Sequence, residues 1–231
     1  STDQAGCKRS YGYCGHEVTS GAGGADPVDG GDGAEKGFGL GGNEALIGDL
    51  GNDALDGGAG GDGLNGGLGD DNLLGGHGGD TLTGSSGLDA LDGGLGNDLL
   101  QGGDDVDSLT GGAGDDRLEG GAGDDVMQGG AGGDHFLGGG GSDTITYANA
   151  SAGVTLSLAT GTGAGGEASG DVFEDVVETL IGSAFGDTLT GSANRDVIYG
   201  GAGNDSIVGG AGNDDLYGGD GSDTIDAQSG N

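Results

Sequence analysis

Residues 111–139 read GGAGDDRLEGGAGDDVMQGGAGGDHFLGG. Three nine-residue units follow one another here, each opened by two glycines, with Asp in the sixth place and an apolar residue in the eighth. With position 1 set at Gly48, the frame runs unbroken to Thr146. Position 6 is Asp53, Asp62, Asp71, Asp80, Asp89, Asp98, Asp107, Asp116, Asp125, Asp134 and Asp143, without exception. Position 8 is Leu55, Leu64, Leu73, Leu82, Leu91, Leu100, Leu109, Leu118, Met127, Phe136 and Ile145. The frame resumes at Gly182, with Asp187, Asp196, Asp205, Asp214 and Asp223 at position 6 and Leu189, Ile198, Ile207, Leu216 and Ile225 at position 8. A fixed short period of this kind marks a solenoid of stacked units.

Only the period argues for folding. The 231 residues carry 40 acidic side chains against 5 basic ones, for a formal net charge of −35, and 67 positions are glycine. Without a repeat, such a chain reads as disordered and low in complexity. Glycine loses the most backbone entropy on ordering, and like charges repel the compact state. So acidic a chain is a poor partner for nucleic acid, whose affinity comes from Lys and Arg on phosphates. Anionic membrane surfaces repel it too, and no apolar run approaches the roughly 18 residues of a membrane span, so membrane insertion is not expected. Ser1 opens no signal-peptide pattern, which reads as a mature or trimmed start.

One unit fixes the local geometry. The GGxGxD portion needs positive φ and close backbone approach, which glycine tolerates. The next three residues, such as RLE at 117–119, form a short strand with the middle side chain inward. Turn, strand, turn, strand closes a flattened right-handed coil of two units, 18 residues. Stacked coils give an all-β fold: a parallel β-roll, or β-helix solenoid, with two sheets facing across a thin Leu/Ile core. Turns one coil apart then superpose, bringing Asp98 over Asp116 and Asp107 over Asp125. Paired carboxylates with glycine carbonyls make an all-oxygen site for a hard cation larger than Mg²⁺ and tolerant of irregular geometry, which is Ca²⁺. If Asp merely suited turns, Asn and Ser would alternate with it at position 6; instead an acid stands there in every unit, and Asn collects at position 5 in Asn52, Asn97, Asn204 and Asn213. About a dozen ions follow from counting superposed turns.

The frame organises the rest of the chain. Residues 21–47 continue it faintly, with Glu35 and Glu44 in the acidic place, Gly37 in the apolar place, and Pro27 set to break a ladder hydrogen bond. Atypical terminal repeats are expected of a stack. The main array is 48–146 and a second one is 182–231. Between them, 147–181 reads as one or two oversized coils: GVTLSL (153–158) is a strand with Val154, Leu156 and Leu158 inward, 159–171 is loose, and VFEDVVETLI (172–181) rejoins the core. In the N-terminal segment 1–20, Cys7 and Cys14 read as a small disulfide loop in an oxidising compartment. The alternative, a metal site of Cys7, Cys14 and His16, lacks an evident fourth ligand, since Glu17 is too hard a donor.

The unit GGAGNDSIV (200–208) matches the nonapeptide of calcium-binding parallel β-helices. Over roughly 180 to 200 residues the chain resembles the RTX, or haemolysin-type, calcium-binding repeat family. The segment YANASAGVTLSLATGTGAGG (147–166) also looks like those that interrupt such arrays in secreted bacterial proteins. The resemblance implies that each ion takes carbonyls from positions 2 and 4 of one turn and 1 and 3 of the turn one coil later, completed by both position-6 aspartates. It further implies type I export into calcium-rich surroundings, extracellular or at the cell surface, with folding delayed until the chain is outside. The family's export signal usually follows the repeats, whereas here SDTIDAQSGN closes the sequence, implying a trimmed end or another route.

Catalysis is not expected. HEVTS (16–20) begins like a zinc-protease motif, but its second histidine would fall at Ser20. TGSSGLD (83–89) misses the spacing of a nucleophile elbow. His77 and His135 read as solvated turn and strand positions. The outward positions 7 and 9 form no regular threonine lattice of the kind ice binding needs. Two roles remain: a calcium-folded extracellular scaffold that pairs end to end with further copies into a fibre, matrix or surface layer, or a calcium-binding, secretion-linked module of a larger enzyme, toxin or adhesin.

Overall fold

The alternation after each position-6 Asp, outward then inward then outward, produces a strand whose apolar middle residue has one direction in which to bury. The computed structural model of the protein describes residues 18–20, 27–175 and 177–229. The described strands form two sheets of 11 and 13 strands, filled alternately as the chain winds. Each pairing in the regular array is parallel and offset by 18 residues, as in Leu100 beside Leu118 and Leu109 beside Met127. The two columns of position-8 side chains meet between the sheets, and from Leu55 to Ile145 every one is at most 3% exposed. Stacking like on like is what fixes the register: a slip of one residue would turn each leucine to solvent.

The strands are longer than the three residues read from the sequence. In the regular units they span six, as in Arg117–Ala122 and Val126–Ala131. The ladder continues through the double glycine because the second glycine holds an extended conformation at positive φ, +110° at Gly112 and +115° at Gly121, and still pairs with its counterpart one coil away. Pro27 is the first residue of strand Pro27–Asp32, where a missing N–H is tolerated.

Segment 147–181 departs from the regular winding in one layer only. In the 11-stranded sheet, Thr144–Thr146 pairs directly with Thr179–Ile181, a step of 35 residues instead of 18. In the other sheet three short strands, Thr155–Ser157, Thr162–Ala164 and Val172–Phe173, occupy the place of one. The middle one is antiparallel to both neighbours, so the stretch read as loose is partly strand, followed by a short 3₁₀ turn at Gly166–Ala168. Val154, Leu156, Phe173, Val177 and Leu180 are buried, while Leu158 is only partly so. Glu174 ties the segment to the array by accepting from Arg117 Nη1 at 2.8 Å and lying 2.8 Å from His135 Nδ1. His135 is therefore engaged with Glu174 rather than simply solvated; His77 is exposed. Cys7, Cys14, His16 and Glu17 lie outside the described residues.

Candidate metal centre

Four kinds of contact join the turns of successive coils. In unit 111–119, Asp116 is 1% exposed and its Oδ1 accepts the backbone N–H of Asp98, one coil earlier, at 2.8 Å. The same bond runs from Glu35 N–H to Asp53 and onward to Asp143, so position 6 forms a continuous ladder toward the preceding coil. Position 5 forms a second ladder in the opposite direction: Asn97 Oδ1 accepts the N–H of Asp115 one coil later, and Asp115 Oδ1 that of Gly133. Asn43, Asn52, Asp70, Asp124 and Asn204 do the same. Sequence reading noticed Asn at position 5 without giving it this task; the signal was the short side chain with an acceptor oxygen at a place where backbone N–H groups stack. The N–H at position 4 goes to the position-3 carbonyl of the next coil, as in Gly96 to Ala113. That at position 7 goes to the position-6 carbonyl of the preceding one, as in Arg117 to Asp98.

The second carboxylate oxygen takes no part in these contacts. Oδ2 of Asp53, Asp62, Asp71, Asp80, Asp89, Asp98, Asp107, Asp116, Asp125, Asp134, Asp143, Asp205 and Asp214 is buried and has no hydrogen-bond partner. Its surroundings explain the first glycine. A Cβ on Gly111 would stand 2.5 Å from Asp116 Oδ2 and 2.7 Å from the Gly129 carbonyl oxygen, so only hydrogen leaves room for those two oxygens. Position 4 is glycine for a related reason: Gly114 takes φ +142° and a Cβ there would strike the Gly96 carbonyl.

A buried carboxylate lacking a donor costs several kcal/mol unless it is neutralised. Burial pushes the Asp71, Asp107 and Asp134 carboxyls up to about 7, with neighbouring aspartates adding to the rise against the lowering effect of the backbone hydrogen bond. Asp80, Asp116 and Asp143 are pushed up to about 6 for the same reasons. The pattern is that of sites waiting for positive charge. The donor set is oxygen only, carboxylate plus carbonyl, and among the described residues the acids pair along the stack without forming a cluster of three or more metal-binding side chains. Such a set fits Ca²⁺, which accepts many neutral oxygens, better than Zn²⁺ or Mg²⁺.

Two position-6 aspartates are held differently. Asp187 accepts from Ser183 N–H and Oγ, and Asp196 from Ser192 N–H and Oγ. Asp223 is half-buried, and its Oδ1 accepts from Asp205 N–H.

The family model for the RTX calcium-binding nonapeptide repeat (4 copies) matches residues 38–73, 74–109, 110–145, 177–207 and 199–231, well over half of the chain. No curated protein matches it. With its all-β parallel solenoid of 18-residue coils, the chain belongs to the RTX calcium-binding repeat family.

Proposed function

We propose that this chain is a calcium-folded extracellular scaffold rather than an enzyme, built to stay extended until calcium reaches its turns. The observation that carries this reading is the row of thirteen buried Asp Oδ2 atoms without a hydrogen-bond donor. These aspartates, with the glycine carbonyls of the same turns, hold the ions; each ion supplies the positive charge that the turn lacks. Because the paired turns do not exist in the unfolded chain, binding energy is folding energy. Superposed turns number about nine in 48–146 and about three after 182, so roughly a dozen divalent ions bring the formal −35 to near −10. Sites built for millimolar calcium fill outside the cell and stay empty inside it. Among the described residues no helix is long and apolar enough to cross a membrane.

The scaffold role includes end-to-end pairing. Strands in such a stack pair through edges of the same kind as those inside the array, so a second copy can add coils as the chain itself does. The test is size-exclusion chromatography with light scattering in chelator and in millimolar calcium. Contraction with growing mass supports the self-assembling scaffold. Contraction at constant mass removes self-assembly and favours a module serving a larger secreted protein. No contraction removes calcium-dependent folding itself.

A further inference from the structure

Three turns, one in the interruption and two just beyond it, depart from the regular turn in one shared respect: a hydroxyl of the protein reaches the acid. At Asp171, which takes the position-6 place beside Asp134, Oδ1 accepts the Asp134 N–H at 2.9 Å as a regular Asp would. Its Oδ2 accepts the Tyr147 hydroxyl, and both residues are at most 3% exposed. At Asp187, Oδ2 accepts the Ser183 N–H at 2.6 Å, and Oδ1 accepts the Ser183 hydroxyl at 2.8 Å together with the Val154 N–H at 2.7 Å. At Asp196, Oδ2 accepts the Ser192 N–H at 2.6 Å, and the Ser192 hydroxyl lies 3.0 and 3.1 Å from its two oxygens. None of these three carboxylates retains a buried oxygen without a donor, unlike Asp205 and Asp214 immediately beyond.

We infer that the turns led by Asp171, Asp187 and Asp196 hold no ion, so that the interruption is a cation-independent joint between two calcium-dependent stacks. This rests on the calcium reading of the regular turns and limits its reach. A carboxylate whose lone pairs are taken up by N–H and O–H donors gains little from a cation and would have to surrender those bonds to receive one. The backbone is changed accordingly. Regular turns hold positive φ at positions 2 and 4, as at Gly112 and Gly114, and so direct no position-2 N–H at the acid. In GSAFGD (182–187) and GSANRD (191–196) both positions carry side chains, and Ser183, Phe185, Ser192 and Asn194 are not at positive φ. The serine hydroxyls also accept the N–H of Phe185 and Asn194, which closes each turn on itself.

A serine at position 2 is not sufficient. Ser85 in GSSGLD (84–89) keeps φ +89° with Gly87 at position 4, its hydroxyl goes to Asn65, and Asp89 Oδ2 stays without a donor. The pairing of Ser at position 2 with a non-glycine at position 4 separates the two kinds of turn. Expected occupancy therefore falls from about twelve to about ten ions, because the pairs led by Asp187 and Asp196 drop out.

The test is a crystal structure of the chain grown in calcium and exchanged with terbium, read in anomalous difference maps. Peaks are expected beside Asp98, Asp107, Asp116 and Asp205, with none beside Oδ2 of Asp171, Asp187 or Asp196. A peak at any of those three overturns the joint. Absence of peaks at every turn instead overturns the calcium reading on which the joint depends. A second measurement counts bound calcium by native mass spectrometry in a variant with both turns made regular (Ser183→Gly, Phe185→Gly, Ser192→Gly, Asn194→Gly). Two more ions per chain than in the unaltered protein are expected, and an unchanged count contradicts the proposal.

Discussion

Replacing Asp116 by Asn separates the two jobs that its carboxylate performs. Oδ1 accepts the Asp98 N–H at 2.8 Å, and an amide oxygen takes over that bond at little cost. Oδ2 is the buried oxygen without a donor, and an amide nitrogen there removes the charge offered to a cation. The turn of Asp116 faces one gap shared with the turn of Asp98 and another shared with that of Asp134, so one or two ions are lost. Each ion bound at a hundred times its dissociation constant stabilises the fold by about 2.7 kcal/mol, and its contribution grows by about 1.4 kcal/mol for each tenfold rise in free calcium. Asp116→Asn is therefore expected to cost about 3 to 5 kcal/mol at saturating calcium. It should also lower the slope of unfolding free energy against log calcium by about 1.4 to 2.8 kcal/mol per decade. Asp116→Ala should show the same loss of slope plus an offset of about 1 to 3 kcal/mol at all calcium concentrations, because the Asp98 N–H is left unpaired. Denaturant unfolding followed by circular dichroism at several calcium activities gives both quantities. An Asp116→Asn slope equal to that of the unaltered protein would refute Asp116 as an ion ligand, whatever its effect on stability.

The buried carboxyls set a pH dependence of definite sign. Their folded, ion-free values, about 7 for Asp71, Asp107 and Asp134, lie above those of the unfolded chain, so the stability they contribute is present at low pH and is lost as pH rises through those values. Protons and calcium then compete for the same oxygens. Because the unfolded carboxyls stay ionised down to about pH 5 while the ion-free fold gains protons, the calcium needed for half-folding should not rise as pH falls from 8 to 5 in calcium titrations, and a midpoint that rises tenfold would contradict the assignment. Gly111→Ala should raise that midpoint because its Cβ meets Asp116 Oδ2 and the Gly129 carbonyl, at a cost of at least about 1 to 3 kcal/mol. Gly140→Ala, whose Cβ finds nothing nearer than the Gly121 carbonyl at 4.0 Å, should change stability by less than about 0.5 kcal/mol. Leu118→Ala, at a fully buried position in the core column, should cost about 2 to 5 kcal/mol in saturating calcium without altering the number of ions bound.

The solenoid was legible because its period is carried by side chains of opposite character at fixed places: Asp at 6, an apolar residue at 8. Strand length was not, because positions 1 and 2 are glycine and bear no side chain from which alternation can be read. Their extension appears only in the pairing of Gly103 with Gly121 and Gly112 with Gly130. The stretch 159–171 was misread as loose for a different reason. Its antiparallel strand Thr162–Ala164 is set by neighbours at Thr155–Ser157 and Val172–Phe173, not by a pattern of its own. The hydroxyl-held acids were hidden for a third reason. Ser85 and Ser183 occupy the same place in the frame, and the sign of φ, positive at Ser85 and not at Ser183, decides where the serine points.

Both ladders at the turns consist of neutral or singly charged hydrogen bonds, each worth about 1 to 3 kcal/mol. They cannot by themselves hold a row of buried anions spaced one coil apart. In a stack where each coil touches only its neighbours, stability is a sum over interfaces. Every regular interface here includes a buried aspartate oxygen without a donor, and on the proposed reading calcium completes it, which makes each term conditional on the ion. The serine and tyrosine hydroxyls change the terms at the interruption from conditional to intrinsic. That is why the departure from the repeat coincides with the departure from orphaned oxygens. The excursion inserts strands in one sheet, and the two turns that follow it, GSAFGD and GSANRD, lack the glycines of positions 2 and 4, so the acids there take partners from the protein itself. Tyr147, Ser183 and Ser192 supply them at the coils where the geometry for calcium has been lost.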